Sequence, residues 1–371
     1  MGRGRGARLL GARAAAPLDP AGVRRILVRA PNWVGDLIMA TPALRAIRLR
    51  FPGAELSIMA RGAVAEVCAG VPGLARVIRY EPHAAHRTLA ARRELARELR
   101  RERFDLGIVF PRSFGAALWA LAAGARRRLG QRGDLRGWLL TDPLPAADSR
   151  APRHHVQMFF DLARALGCAG EPGPLEYTVR EAEAAAAQRL LRQAGDEGGR
   201  PRVAIHPGAS KQPRGWHAGR WAELGARLAR EWGARIVVLG GGAEQAVAGA
   251  IAAAAGPAAL NLAGRSTLPE TAALIAACDL LAANDSGAMH LAAAVGTPVV
   301  AIFGPGAPAV TGPWVDPARA EVLTRRFPCS PCRQHFFREC DPAPSGKPHC
   351  LESIPVDEAW DACRRLRARL T

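Results

Sequence analysis

A chain of 371 residues with 49% hydrophobic content is long enough for two domains, each with its own core. Its formal charge is +18, but Lys211 and Lys347 are its only lysines, so the charge is an arginine bias spread along the chain and not one patch. A preference for anionic partners survives that discount. Aromatic content of 5%, unclustered with arginine, argues against a nucleic-acid surface, and no apolar run reaches the roughly 18 residues of a membrane span. Residues 1–22 are rich in Arg, Gly and Ala, lack the apolar core of a secretory signal, and read as a flexible tail.

From residue 23 the chain alternates between apolar runs and helical patterns. Residues 25–30 read as a buried strand, 31–36 as the loop after it, and 37–50 as a helix stopped by Phe51-Pro52-Gly53. Strands follow at 55–60, 76–80, 105–110 and 127–130, with helices ending at Gly70 and spanning 88–103, 113–123 and 154–166. Glu171-Pro172-Gly173-Pro174 reads as a linker, 175–179 as a strand and 180–193 as a charged helix. A second alternating set begins at 203–205, with strands at 235–239, 259–263, 280–283 and 299–303 and helices between them. Residues 356–370 form one last helix. The expected architecture is α/β, with two Rossmann-like parallel-sheet lobes and ligands in the cleft at the strands' carboxyl ends. The lobes span 23–174 and 175–355.

The loops after those strands carry the unusual residues. Gly35-Asp36 follows the first strand; a carboxylate there serves as a general base or caps the next helix. Asn284-Asp285-Ser286-Gly287-Ala288-Met289-His290 turns from strand into helix, which suits an anion at the helix N-terminus or simple capping by Asp285 and Ser286. The stretch from His206 to Trp216, with Ser210, Lys211 and Arg214, is long for such a loop and suits phosphate contacts; the alternative is a solvated loop over a packed Trp216. Gly240-Gly241-Gly242 admits close backbone approach, with Glu244 placed to accept from ribose hydroxyls. It is not a dinucleotide fingerprint, since the third glycine position holds Gln245, and no Walker A sequence occurs. An oxidoreductase reading therefore lacks its motif.

Cys329-x2-Cys332-x7-Cys340-x9-Cys350 has the spacing of a four-thiolate structural zinc site, with disulfides or unbonded thiols as alternatives. Four thiolates leave zinc no open position, so this would be a clip and not a reaction centre.

With these residues in view the chain resembles the ADP-heptose:lipopolysaccharide heptosyltransferases, glycosyltransferase family 9, nearest the heptosyltransferase II type. The resemblance rests on Pro31-Asn32-Trp33-Val34-Gly35-Asp36, Pro111-Arg112-Ser113-Phe114, Arg128-Leu129-Gly130-Gln131-Arg132-Gly133, His206-Pro207-Gly208-Ala209 and Asn284-Asp285-Ser286-Gly287-x2-His290, in that order. It implies a GT-B fold, with the acceptor on the first lobe, the donor on the second, and the last helix (356–371) returning to the first. It implies inverting transfer of L-glycero-D-manno-heptose from ADP-heptose to the lipid A-linked inner core, the second heptose onto the first, with Asp36 as general base and no catalytic cofactor. Donor contacts fall on Ser210, Lys211, Arg214, Glu244, Asp285, Ser286, Gly287 and His290, and acceptor contacts on Arg112, Ser113, Arg132 and Arg136. Where relatives carry a lysine two residues before the tryptophan, this chain has Arg214, so Lys211 and Arg214 compete as the phosphate cation. The lipid-linked acceptor places the expected enzyme, a monomer, at the cytoplasmic face of the inner membrane, with anionic lipid as a peripheral contact.

Overall fold

The computed structural model describes residues 18–146, 153–329, 332, 335–338 and 340–370. Most of the expected flexible tail, residues 1–17, lies outside them. The first lobe is built on β1 (Arg25–Arg29), β2 (Glu55–Ala60), β3 (Arg76–Arg79), β4 (Leu106–Val109), β5 (Arg127–Gln131) and β6 (Asp142–Leu144). Its helices are α1 (Val34–Met39), α2 (Thr41–Arg50), α3 (Gly62–Val67), α4 (Leu89–Arg101), α5 (Phe114–Ala122) and α6 (His155–Ala165). The chain then forms α7 (Glu181–Gln193) and the second set of strands, β7 (Arg202–His206), β8 (Arg235–Val238), β9 (Ala259–Asn261), β10 (Leu280–Asn284), β11 (Val299–Phe303) and β12 (Ala320–Thr324). Helices α8 (Ala218–Trp232), α9 (Gln245–Ala255), α10 (Leu268–Ala276), α11 (Gly287–Val295), α12 (Pro308–Thr311), α13 (His349–Glu352) and α14 (Val356–Leu370) complete it.

Both sheets are parallel and have the same order, β3-β2-β1-β4-β5-β6 and β9-β8-β7-β10-β11-β12. The central strands β10 and β11 are buried throughout, as strands covered by helices on both faces must be. In such sheets the crevice lies where the winding reverses, here between β1 and β4 and between β7 and β10. The lobes meet through α1 against α11 and α3 against α10, and one hydrophobic core runs through both.

Two expectations are corrected. Residues 175–179 join neither sheet. They run along the first lobe, where the Thr178 N–H donates to the Gly70 carbonyl (2.8 Å), the Glu176 N–H donates to the Thr41 hydroxyl (2.9 Å), and Tyr177 fills the space Gly70 leaves. The chain thus stays on the first lobe past residue 174. The last helix does not return to that lobe: α14 lies along α8, β11 and β12 and buries Ala359, Trp360, Cys363 and Leu366 in the second core. The cause is a matched aromatic face. Trp360 sits 5.5 Å from Trp232 of α8, and Arg227 covers its ring.

Candidate functional site

The first half of the site is the turn after β1. Arg29 is buried, and its guanidinium donates to the Ala30 carbonyl (2.6 Å) and to the Asn32 side chain (3.0 Å), which fixes that turn. Helix α1 starts at Val34, after Trp33 as its N-cap, so Asp36 lies inside the first turn and does not cap. Its Oδ1 stands 3.1 Å from Nδ1 of His155, the first residue of α6. Asp36 and His155 open into a pocket walled by Trp33, Phe110, Arg112, Ser113 and Phe159. The neighbouring His154 bridges the lobes, with Nε2 3.1 Å from the Gly312 carbonyl and its ring against Trp314. Burial lowers the His154 pKa.

Of the four expected acceptor residues, Arg112 and Ser113 line this pocket and Arg132 is exposed after β5. Arg136 is a correction. It is fully buried, and its guanidinium donates to the carbonyls of Gln131, Pro111 and Ser113. It clamps loop 132–138 onto the segment after β4, facing no solvent. Burial, against the opposing charge of Asp134 and helped by Arg112, pulls its pKa down to about 10.

The second half follows β10. Asn284 is fully buried and ties down the loop after β7: its Oδ1 accepts from the Trp216 N–H (3.1 Å) and its Nδ2 donates to the Pro207 carbonyl (2.6 Å). Asp285 is almost as buried, and its carboxylate pairs with Arg214. Burial raises the Asp285 pKa, with Arg214 opposing. Ser286 occupies the N-cap of α11 but makes no capping bond; its hydroxyl is buried without a partner. The capping role expected of Asp285 and Ser286 is therefore not filled, and the start of α11 is left without a side-chain cap, the setting that favours an anion.

Arg214 also donates to the Ser210 hydroxyl (3.0 Å), so it spans Ser210 and Asp285. Lys211 is turned away, exposed, with its ammonium over the Phe336 ring at 5.5 Å. Lys347 reaches the same loop from the cysteine segment, donating to the Gln212 carbonyl (3.2 Å). Glu244 accepts from the Gly241 N–H (2.7 Å) and lies beside Gly208 and Gly240, behind the loop that Arg214 closes. His290 is buried between the lobes against Gly35, and burial drives its pKa down to about 3, leaving the imidazole neutral.

The zinc clip is not formed. Among the described residues no three His, Cys, Asp or Glu side chains are arranged to hold a metal ion. Cys350 is buried in α13, and burial, followed by the nearby Cys329, pushes its thiol up to about 11. Cys329, Cys332 and Cys340 are half-buried.

Three contributors escape sequence reasoning: His155, Asn284 as a loop anchor, and Lys347. The His154-His155 pair at the start of a helix is the one visible signal for the first of these.

The glycosyltransferase family 9 (heptosyltransferase) family model matches residues 92–339. The chain is 32% identical over 304 residues to lipopolysaccharide heptosyltransferase 2 of Escherichia coli strain K12, covering 80% of this chain and 87% of that protein. It is 30% identical over 303 residues to lipopolysaccharide heptosyltransferase 2 of Salmonella typhimurium strain LT2, with 80% and 87% covered. The structure of E. coli ADP-heptose LPS heptosyltransferase II superposes with a TM-score of 0.78 at 28% identity, over 94% of this chain and 100% of that one. A family 9 glycosyltransferase from Veillonella parvula shares the fold, with a TM-score of 0.82 at 22% identity over 95% and 98%. Two facing lobes of like topology agree with these matches, and the chain belongs to glycosyltransferase family 9, the heptosyltransferases, as an enzyme of the GT-B fold.

Proposed function

We propose that the enzyme transfers L-glycero-D-manno-heptose from ADP-heptose to the first heptose of a lipid A-linked inner core, with inversion. The observation that carries this reading is the meeting of the two switch points: Asp36 in the first turn of α1, and the uncapped start of α11 with Asp285 and Ser286, on helices in direct contact. Asp36 takes the proton from the acceptor hydroxyl as that oxygen bonds to the anomeric carbon; the bond from that carbon to the diphosphate breaks and ADP leaves. His155 orients the Asp36 carboxylate through their 3.1 Å contact. The α11 N–H groups at Ser286 and Gly287, with Ser210 and Arg214, receive the charge growing on the diphosphate, so the chemistry calls on no catalytic cofactor.

In this reading Arg214, and not Lys211, is the phosphate cation, because it lies against Asp285 while Lys211 is held over Phe336. Its planar fork suits a diphosphate. Glu244 takes the ribose hydroxyls, Asp285 the heptose hydroxyls, and Arg112, Ser113 and Arg132 the phosphorylated acceptor. His290 holds the lobes together at the site. The lipid-linked acceptor calls for a peripheral contact with the cytoplasmic face of the inner membrane. No helix among the described residues is long and apolar enough to cross a membrane. The test is product analysis after offering ADP-heptose with defined truncated cores. A heptose added only where one heptose is already present supports the reading; faster transfer from another nucleotide sugar, or to a heptose-free core, overturns it.

A further inference from the structure

We propose that the rim of the first lobe around the Asp36 pocket is a docking surface for an anionic lipid bilayer. It deepens the function proposed above, on which it rests for the lipid-linked acceptor, by naming the face through which that acceptor arrives. Five of the nine large hydrophobic side chains exposed among the described residues lie on this rim: Trp33, Phe114, Leu118, Leu135 and Trp138. Topology brings them together. They follow β1, β4 and β5, which are adjacent in the sheet, so their loops emerge along one edge. Trp33 stands at the pocket mouth with Arg112 and Ser113, and the Phe114 and Trp138 rings are 6.0 Å apart.

These side chains are held outward. Leu135 is 89% exposed and Trp138 71%, the first at a positive φ of 55° that an unconstrained leucine avoids. The buried Arg136 between them fixes the loop, and Leu139 and Leu140 anchor it from below. Phe114 and Leu118 are one helical turn apart on the outer face of α5. A water-exposed Trp–Leu–Phe cluster beside a ligand pocket marks an interaction surface, and indole rings at a rim are the side chains that favour the headgroup region of a bilayer.

Charge selects the partner. The exposed Arg112 and Arg132 lie among the apolar residues, with Asp134 the one acid of the 132–138 loop. Apolar residues interleaved with cations suit anionic headgroups over acyl chains, each feature adding affinity. A second copy of the chain would bring the same arginines against each other.

The test is co-sedimentation of the full chain with vesicles of phosphatidylethanolamine and phosphatidylglycerol, beside vesicles of phosphatidylcholine alone. The wild-type chain should sediment with the anionic vesicles and be released by salt, and brominated lipid should quench its tryptophan fluorescence. The double variant Leu135→Ser with Trp138→Ser should lose at least about tenfold in partitioning, with an unchanged melting midpoint. Its rate on a lipid-free truncated core should equal the wild-type rate. Wild-type protein that neither sediments with anionic vesicles nor is quenched overturns the proposal, whatever becomes of the variant. So does a variant that binds as well as wild type, or one that instead splits a lipid-free dimer. Failure of the wild-type chain to glycosylate the lipid-free core would count against the proposed transfer and leave the vesicle result standing.

Discussion

Gly35 and Gly287 face each other where the lobes touch, with no side chain between them. A Cβ added to Gly35 would fall 2.7 Å from the His290 ring, and one added to Gly287 would fall 3.2 Å from Val34. Each glycine is thus the reason the other's helix can come so near. Gly35→Ala forces His290 or all of α1 to move, and Asp36 is the next residue. The expected outcome is a fall in kcat of about a hundredfold, the usual consequence of misplacing a reacting group by about 1 Å. Gly287→Ala meets only a tight contact and should cost less. Steady-state kinetics of both variants checks the order.

Asp36→Asn should lower transfer by about three orders of magnitude while ADP-heptose still binds, because a general base contributes 10²–10⁴-fold and Asp36 lies on the acceptor side. His155→Ala should cost less, about tenfold, and mainly in kcat. His155→Asn, which keeps a side-chain amide near Asp36, should recover part of the loss. Product formation beside calorimetric titration with the donor separates chemistry from binding. A near wild-type rate for Asp36→Asn rejects the base assignment.

Arg214→Ala leaves the Asp285 carboxylate buried without its partner, and breaking a buried pair from one side costs about 3 kcal/mol or more. Donor affinity should fall with it, and Arg214→Lys should restore stability more fully than turnover, since it keeps the charge and loses the fork. Lys211→Ala, on an exposed residue, should change stability by less than about 0.5 kcal/mol. Urea unfolding and donor titration of the three variants give the comparison.

His290 sets a pH dependence. Folded, its pKa is about 3; unfolded, it returns to about 6.5, so protons bind the unfolded chain more readily between those values. Its contribution to stability is complete above about pH 6.5 and falls by up to about 1.4 kcal/mol per unit as pH drops toward 3. Asp36 opposes the shift, while His154, His155 and Arg214 reinforce it. The slope should flatten in His290→Asn, as measured by unfolding at about pH 7 and about pH 5. His154 and His206, both lowered by burial, supply a remainder of the same sign.

The central strands are legible in the sequence because burial on both faces demands unbroken apolar runs, as in β10 and β11. Edge strands carry no such demand. β6 is three residues with a proline, β12 is half-buried, and neither stands out. Residues 175–179 alternate like a strand yet answer to Gly70 and Thr41 on another part of the chain. Asp36 and Asp285 can be found because they lie in the turns from strand to helix, past the strands' carboxyl ends, where ligands gather in this architecture. His155 cannot, since its role exists only once α6 lies beside α1. Arg136 misleads for a related reason. In a chain this rich in arginine, nothing local tells a guanidinium spent on three backbone carbonyls from one offered to a ligand.

The contact of α1 with α11 also bears on movement. The seam is held at several points and not at one hinge: α3 meets α10 as well, the His154 imidazole reaches the Gly312 carbonyl, and one hydrophobic core runs through both lobes. Asp36 and the start of α11 therefore keep a fixed spacing across it, assembled before any ligand arrives.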